Sequence, residues 1–342
     1  MLQWEIHDVS NKASIPIVAV DDGYAQTKLV GQSPTGEGLV SVVIRSSVRP
    51  GRYGLSSLGG ARSSGSYRTE EGEDYTVSDD VEGESTQFDG FHTSPLNRVL
   101  VNHALATAGY GGMQVRVIAG LPVADFFLDG GLDKEKIEAK KLNLSKGVSS
   151  TSAGKVATLS DIRIGCQAIA AFVDYLLDDD LNERDVPKKT IAVVDIGGRT
   201  TDIAVVKGGN SFDESKSGTT NLGVLDVYEL ISRSIRTKFG TRDKYPLAVL
   251  DSAVRERKVV LWGEEHDLSE EVDAAVREQE VKIAREVERR LGSASAVDKV
   301  VFVGGGAALF SNVSAHFRNG VIAPDPEFAN ARGLFKYARR FS

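Results

Sequence analysis

The chain of 342 residues reads as an α/β protein of two lobes, each built on a related mixed β-sheet flanked by helices, with a ligand cleft between them. Three observations predict this. A strand, the triplet Asp21-Asp22-Gly23 and a second strand occupy residues 15–30. The same order of strand, Asp-x-Gly turn and strand returns at residues 190–207, about 174 positions later. A repeat of that kind signals two copies of one supersecondary unit. A third strand, Lys299–Val303, then runs into Gly304-Gly305-Gly306.

Composition allows a sizeable core. Hydrophobic residues make up 41% and charged residues 26%, as in ordinary soluble domains. The formal charge of -7, with no basic patch, argues against direct DNA binding. A single cysteine, Cys166, excludes an internal disulfide and a cysteine metal cluster, and suits a reducing cytoplasm. His7, His92, His103, His266 and His316 show no metal-ligand spacing. No apolar run approaches the ~20 residues of a membrane span. Glu5 and Asp8 make the N-terminus unlike a secretory signal, so the expected location is cytoplasmic, away from the membrane.

Residues 1–14 read as an N-terminal extension, 15–188 as the first lobe and 189–342 as the second. The first lobe opens with strands at 15–20, 24–30 and 39–44, a meander joined by turns at 21–23 and 31–38. Residues 51–66, rich in Gly, Ser and Arg, read as a mobile loop. Leu96, Val99, Leu100, His103 and Ala104 share a face of a helix over 95–108. A buried strand at 115–119 closes on Gly120-Leu121-Pro122, and 134–141 reads as a charged surface helix. A helix over 165–177 carries Ile169, Phe172, Val173 and Leu176, and the polar stretch 178–189 connects the lobes.

In the second lobe, strands at 190–194 and 201–207 flank Asp195-Ile196-Gly197-Gly198, and 225–238 is helical. A longer helix over 268–291 has Asp267 and Glu270 at capping-box spacing and a buried stripe of Val272, Val276, Ile283, Val287 and Leu291.

The chemistry follows from the two Asp-bearing turns together. Glycine lets a backbone approach a ligand closely, and successive N–H groups in a turn form an anion-binding concavity. A carboxylate beside such a turn suits a phosphate only with a divalent cation between them. Mg²⁺ is characteristically held by one or two carboxylates plus substrate phosphates. Lys28, seven residues after Asp21, is placed to reach a β or γ phosphate. The triple glycine after the late strand offers backbone on which a purine can lie. Either Asp-x-Gly alone is a common hairpin turn; the pair, with the third glycine-rich element in order, carries the signal.

These motifs resemble the actin, Hsp70 and sugar-kinase ATPase superfamily, and within it the ParM/StbA plasmid-segregation proteins. The resemblance rests on Val20-Asp21-Asp22-Gly23 with Lys28, Asn102-His103-Ala104-Leu105 with Gly109, and Gly120-Leu121-Pro122-Val123. It continues through residues 195–202, Asn221-Leu222-Gly223-Val224 and Val303-Gly304-Gly305-Gly306-Ala307. It implies an actin-like ATPase fold with ATP or GTP and Mg²⁺ in the cleft. Asp21 and Asp195 would orient metal-bound waters. Asp22, Gly23, Lys28, Gly197, Gly198, Arg199 and Thr200 would line the phosphates, and Gly223 with Gly304, Gly305 and Gly306 would border ribose and base. Where ParM proteins carry a water-positioning glutamate, this chain has Gln167, which implies slow hydrolysis. The function so implied is an ATP-dependent filament that segregates plasmid DNA through a ParR-like DNA-binding adaptor, with hydrolysis driving disassembly. A non-filamentous ATPase of this fold and a small-molecule kinase are the alternatives.

Overall fold

The computed structural model describes residues 15–53, 64–79, 83–152, 154–186, 189–209 and 211–340. The N-terminal meander is β1 (Ile17–Asp22), β2 (Gln26–Gln32) and β3 (Leu39–Arg45). β1 and β2 are covered on both faces, which is why they read as continuous apolar runs. A small outer sheet follows in β4 (Val48–Pro50), β5 (Gly65–Thr69) and β6 (Asp74–Val77). Helix α1 (Pro95–Thr107) is capped by Ser94, whose side chain accepts from the Asn97 amide. β7 (Gln114–Leu121) lies parallel to β1, and α2 (Val123–Phe126) with the hairpin β8 (Phe127–Leu128) and β9 (Gly131–Leu132) leads to α3 (Lys134–Ser145). β10 (Val148–Ser150) joins the outer sheet; β11 (Thr158–Cys166) pairs parallel with β7 and runs into α4 (Gln167–Leu176).

The second lobe repeats this plan. Its sheet contains β12 (Thr190–Ile196), β13 (Thr201–Lys207), β14 (Ser211–Phe212) and β15 (Gly218–Thr220). Helices α5 (Val224–Phe239) and α6 (Leu247–Glu256), the hairpin β16 (Lys258–Leu261) and β17 (Glu264–Asp267), and α7 (Ser269–Leu291) follow. β18 (Lys299–Val303), α8 (Ser311–Ala315), β19 (Gly320–Ile322) and α9 (Ala329–Arg340) end the chain. Strand order is β11-β7-β1-β2-β3 in one sheet and β14-β13-β12-β18-β19 in the other. Both are an antiparallel meander extended by two parallel strands. Registers also match: Asp21 sits opposite Lys28, and Asp195 opposite Asp202.

Several expectations change. Asp21, Asp22 and Asp195 lie within strand ends, not in turns, so the ladder itself holds their carboxylates. Strand β11 has no clear sequence pattern, because Asp161 and Arg163 interrupt its apolar residues, and the following helix starts at Gln167 rather than Gly165. Helix α3 is not merely a surface helix, since Lys140 in it is fully buried. Asp267 caps nothing by the expected box; its carboxylate accepts from the Ser269 amide and hydroxyl instead. In α7, Val272, Ile283, Val287 and Leu291 are buried and Val276 is half-buried. Of the 51–66 loop, residues 54–63 lie outside the described residues, as does the 1–14 extension, while Gly65 and Ser66 open β5. The last helix, α9, falls in the segment assigned to the second lobe. Its Ala331, Leu334, Phe335 and Ala338 pack instead with Ala19, Val30 and Ile118 of the first sheet and Ala170 of α4.

Candidate functional site

The turns after β1 and β12 face each other across the cleft between the sheets. They touch: a Cβ on Gly198 would stand 2.6 Å from the Ala25 Cβ and 2.7 Å from its amide nitrogen, so only glycine fits there. The start of α5 braces the second turn from behind, with the Val224 and Leu225 amides donating to the carbonyls of Gly197 and Gly198 at 3.1 and 2.9 Å. Gly304 has φ +87, and a Cβ there would lie 2.5 Å from the Ile196 carbonyl oxygen. That position needs glycine for both backbone conformation and space.

Two carboxylates project into this cleft. Asp21 and Asp195 are each 5% exposed. Burial pushes the Asp21 carboxyl up to about 6, with Lys28 opposing and Asp195 and Asp22 adding to the rise. Burial, and then Asp202, push Asp195 up to about 6 as well. The Asn330 amide donates to Asp195 Oδ2 at 2.7 Å, and the Gln167 amide donates to Asp21 Oδ1 at 2.8 Å. Asp202 is itself partnered, accepting from the Thr200 hydroxyl, the Val123 amide and the Thr219 hydroxyl.

Two desolvated, poorly compensated carboxylates are the kind of site that a cation completes. Among the described residues no group of three His, Cys, Asp or Glu side chains could cage a metal. Two carboxylates of this kind could hold a divalent cation such as Mg²⁺ if it were also shared with phosphates. Asn330 Oδ1, buried and unpartnered, fits the same reading.

Of the residues expected at the ligand, Asp21, Gly23, Lys28, Gln167, Asp195, Gly197, Gly198, Thr200, Gly304 and Gly305 line this one cavity. Asp22 does not. Strand alternation turns it to the opposite face, where it is fully buried and its Oδ2 accepts from Lys140 Nζ at 2.5 Å. Arg199 reaches across the cleft mouth to Asp89, at 2.8 Å, and over the Tyr24 ring, at 5.3 Å. Gly223 and Gly306 sit behind the lining, packed on Gly197 and Ile196.

The cavity also draws on residues that the sequence had not marked. Asn330 is 135 positions from the aspartate it holds, and no local pattern points to it. Asp202 was findable, because it occupies the place in the repeat that Lys28 holds in the first copy. At the outer end, Asp251 accepts from the Tyr228 hydroxyl at 2.7 Å, Arg255 Nε at 2.8 Å and Arg45 Nη2 at 2.9 Å, and all four line the cleft.

Comparison with known proteins agrees with this architecture. Residues 17–176 match the family described as plasmid segregation protein ParM, N-terminal, and residues 193–314 match the archaeal actin homologue MreB-like, C-terminal. A non-polymerisable quadruple mutant of pCBH ParM superposes with a TM-score of 0.75 at 19% identity, covering 95% of this chain and 99% of that one. The archaeal actin homolog Ta0583, in complex with ADP, gives 0.74 at 21% identity, covering 95% and 99%. A 15-stranded ParM filament from Clostridium botulinum gives 0.72 at 19%, covering 96% and 99%. A shorter likeness, 34% identity over 128 residues, links 35% of this chain to 19% of the chaperone protein DnaK of Prochlorococcus marinus (strain MIT 9515). The match thus spans about a fifth of that chaperone's length. The fold is actin-like.

Proposed function

We propose that this chain, whose fold is actin-like, is a protein of the ParM/StbA kind that binds ATP with Mg²⁺ in the cleft, hydrolyses it slowly and polymerises in its ATP state. One observation carries the reading: Asp21 and Asp195, each buried and raised, converge on a cavity lined by two glycine turns, Lys28 and Gln167. The turn amides and Lys28 would hold the phosphates. Asp21 and Asp195 would hold Mg²⁺ through its waters, and the ion would offset phosphate charge. Gln167 spends its amide N–H on Asp21, which leaves its carbonyl oxygen to accept a hydrogen bond from an attacking water. An amide orients water but is a poor base, so slow turnover follows.

Filament assembly, plasmid segregation through a ParR-like DNA-binding adaptor and a cytoplasmic location belong to the same proposal. The ParM N-terminal match and the fold shared with a ParM filament support them. Light scattering and negative-stain microscopy of the purified chain with ATP, ADP and no nucleotide test assembly, with phosphate release followed on the same samples. ATP-dependent filaments are expected. Asp195→Ala and Gln167→Ala should each slow hydrolysis by a factor on the order of 10², about 3 kcal/mol of barrier, with the fold retained. Flat scattering with ATP across a broad concentration range would remove the filament reading, and wild-type hydrolysis in Asp195→Ala would remove the site.

A further inference from the structure

Helix α3 places an ammonium where the fold alone does not need one. Lys140 is fully buried. Its Nζ donates to Asp22 Oδ2 at 2.5 Å and to the Gly120 carbonyl oxygen at 2.6 Å, and His92 Nδ1 lies 3.5 Å away. Removing an ammonium and a carboxylate from water is costly, and packed apolar side chains would stabilise such a position at least as well. The geometry of the two acceptors shows what the pair accomplishes.

Asp22 is the last residue of β1, directly after Asp21, and Gly120 is next to last in β7, the parallel neighbour of β1. One ammonium therefore ties together the ends of the two strands that floor the cleft. Gln167 rests on the second of these ends: a Cβ on Gly120 would stand 2.6 Å from Gln167 Cγ. The strand that Lys140 holds through Asp22 carries Asp21, and the strand end it holds through Gly120 supports Gln167. Asp21 and Gln167 are joined by their own hydrogen bond of 2.8 Å. Lys140, Asp22, Asp21, Gln167 and Gly120 form one closed circuit, with Lys140 outside the cavity and Asp21 and Gln167 inside it.

We propose that Lys140 is a positioning residue for hydrolysis, clamping the ends of β1 and β7 so that Gln167 and Asp21 hold the attacking water in line. This rests on the ATPase reading of the cleft. Lys140 touches neither nucleotide nor water in this scheme. Its loss should lower the rate of the chemical step while leaving nucleotide affinity close to wild type.

The test compares wild type with Lys140→Met, Asp22→Asn and the double variant Lys140→Met/Asp22→Asn. Thermal stability, affinity for a fluorescent ATP analogue and single-turnover phosphate release are measured on each. Lys140→Met strands a buried carboxylate and should lose both stability and rate. The double variant removes that carboxylate's charge and should regain most of the stability. Its hydrolysis should remain at least about tenfold slow, as expected for a small displacement of positioning groups, with affinity within about threefold of wild type. Asp22→Asn keeps an acceptor for Lys140 and should hydrolyse near the wild-type rate. A double variant that is both stable and fully active would overturn the proposal, as would rates that track thermal stability across all three variants. Wild-type protein that binds but never hydrolyses ATP would instead overturn the ATPase reading.

Discussion

Neighbouring aspartates on one strand meet opposite fates here. Asp21 faces the cleft, and burial raises its carboxyl to about 6, as it does for Asp195. Asp22 faces inward, where burial also opposes its ionisation, yet Lys140 and His92 hold its carboxyl below the ordinary value. The cleft pair makes a pH prediction. In the unfolded chain both aspartates titrate near the ordinary value of ~4, so the folded state binds more protons between there and about 6. The stability contributed by the protonated pair is therefore full below ~4 and lost as pH rises through about 6. Nucleotide-free protein should lose melting temperature between about pH 4 and 6 more steeply than Asp195→Asn does. Parallel slopes in the two proteins would show that the pair is not strained by ionisation.

At the scale of elements, helices α4 and α9 bring side chains to the cleft from their first turns. α4 begins with Gln167, and Asn330 is the second residue of α9. Their packing is close because Gly333 lies against the Ala170 carbonyl, where a Cβ would overlap it. Asp174 of α4 reinforces the crossing, with Arg332 Nη2 at 2.7 Å and Lys336 Nζ at 2.8 Å. Gly333→Ala should push the helices apart and cost about 1–3 kcal/mol, typical of overpacking. It should also slow hydrolysis, since Asn330 and Gln167 would shift with the helices. Circular-dichroism melting and phosphate release check both effects. A melting temperature like that of wild type would mean that the crossing is softer than its geometry implies.

Across the whole molecule, polar contacts around the cleft join the lobes beside the apolar packing of α4 and α9. Arg45 of β3 pairs with Asp251 of α6 at 2.9 Å, and the Val123 amide donates to Asp202 at 2.9 Å. With Arg45 about one-third exposed, the outer pair contributes on the order of 1 kcal/mol or less, too little to hold the lobes alone. It does span the rim that a ligand must pass. Arg45→Ala should therefore shift the melting temperature only slightly but release bound nucleotide several-fold faster in stopped-flow displacement. An unchanged release rate would place the barrier to exit elsewhere.

Residues 15–30 and 190–207 announced the duplicated architecture because a β-meander is local, and its turn glycines and buried strands leave a direct mark on sequence. The same locality made Asp21, Lys28, Asp195 and the glycines of 197–198 and 304–305 legible as one site. Other features depend on contacts between distant segments. Asn330 holds Asp195 only because α9 crosses back to the first sheet, and Lys140 meets Asp22 across 118 positions. Nothing in the local pattern of α3 distinguishes that lysine from its solvated neighbour Lys141, since both belong to one charged helix. Period and turn chemistry reach only as far as a hairpin or a helix, so the sequence by itself determined the two lobes and the paired glycine turns. Which charges are buried, which aspartate faces the cleft and which helix braces the floor were decided by tertiary packing, where desolvation and long-range pairing act.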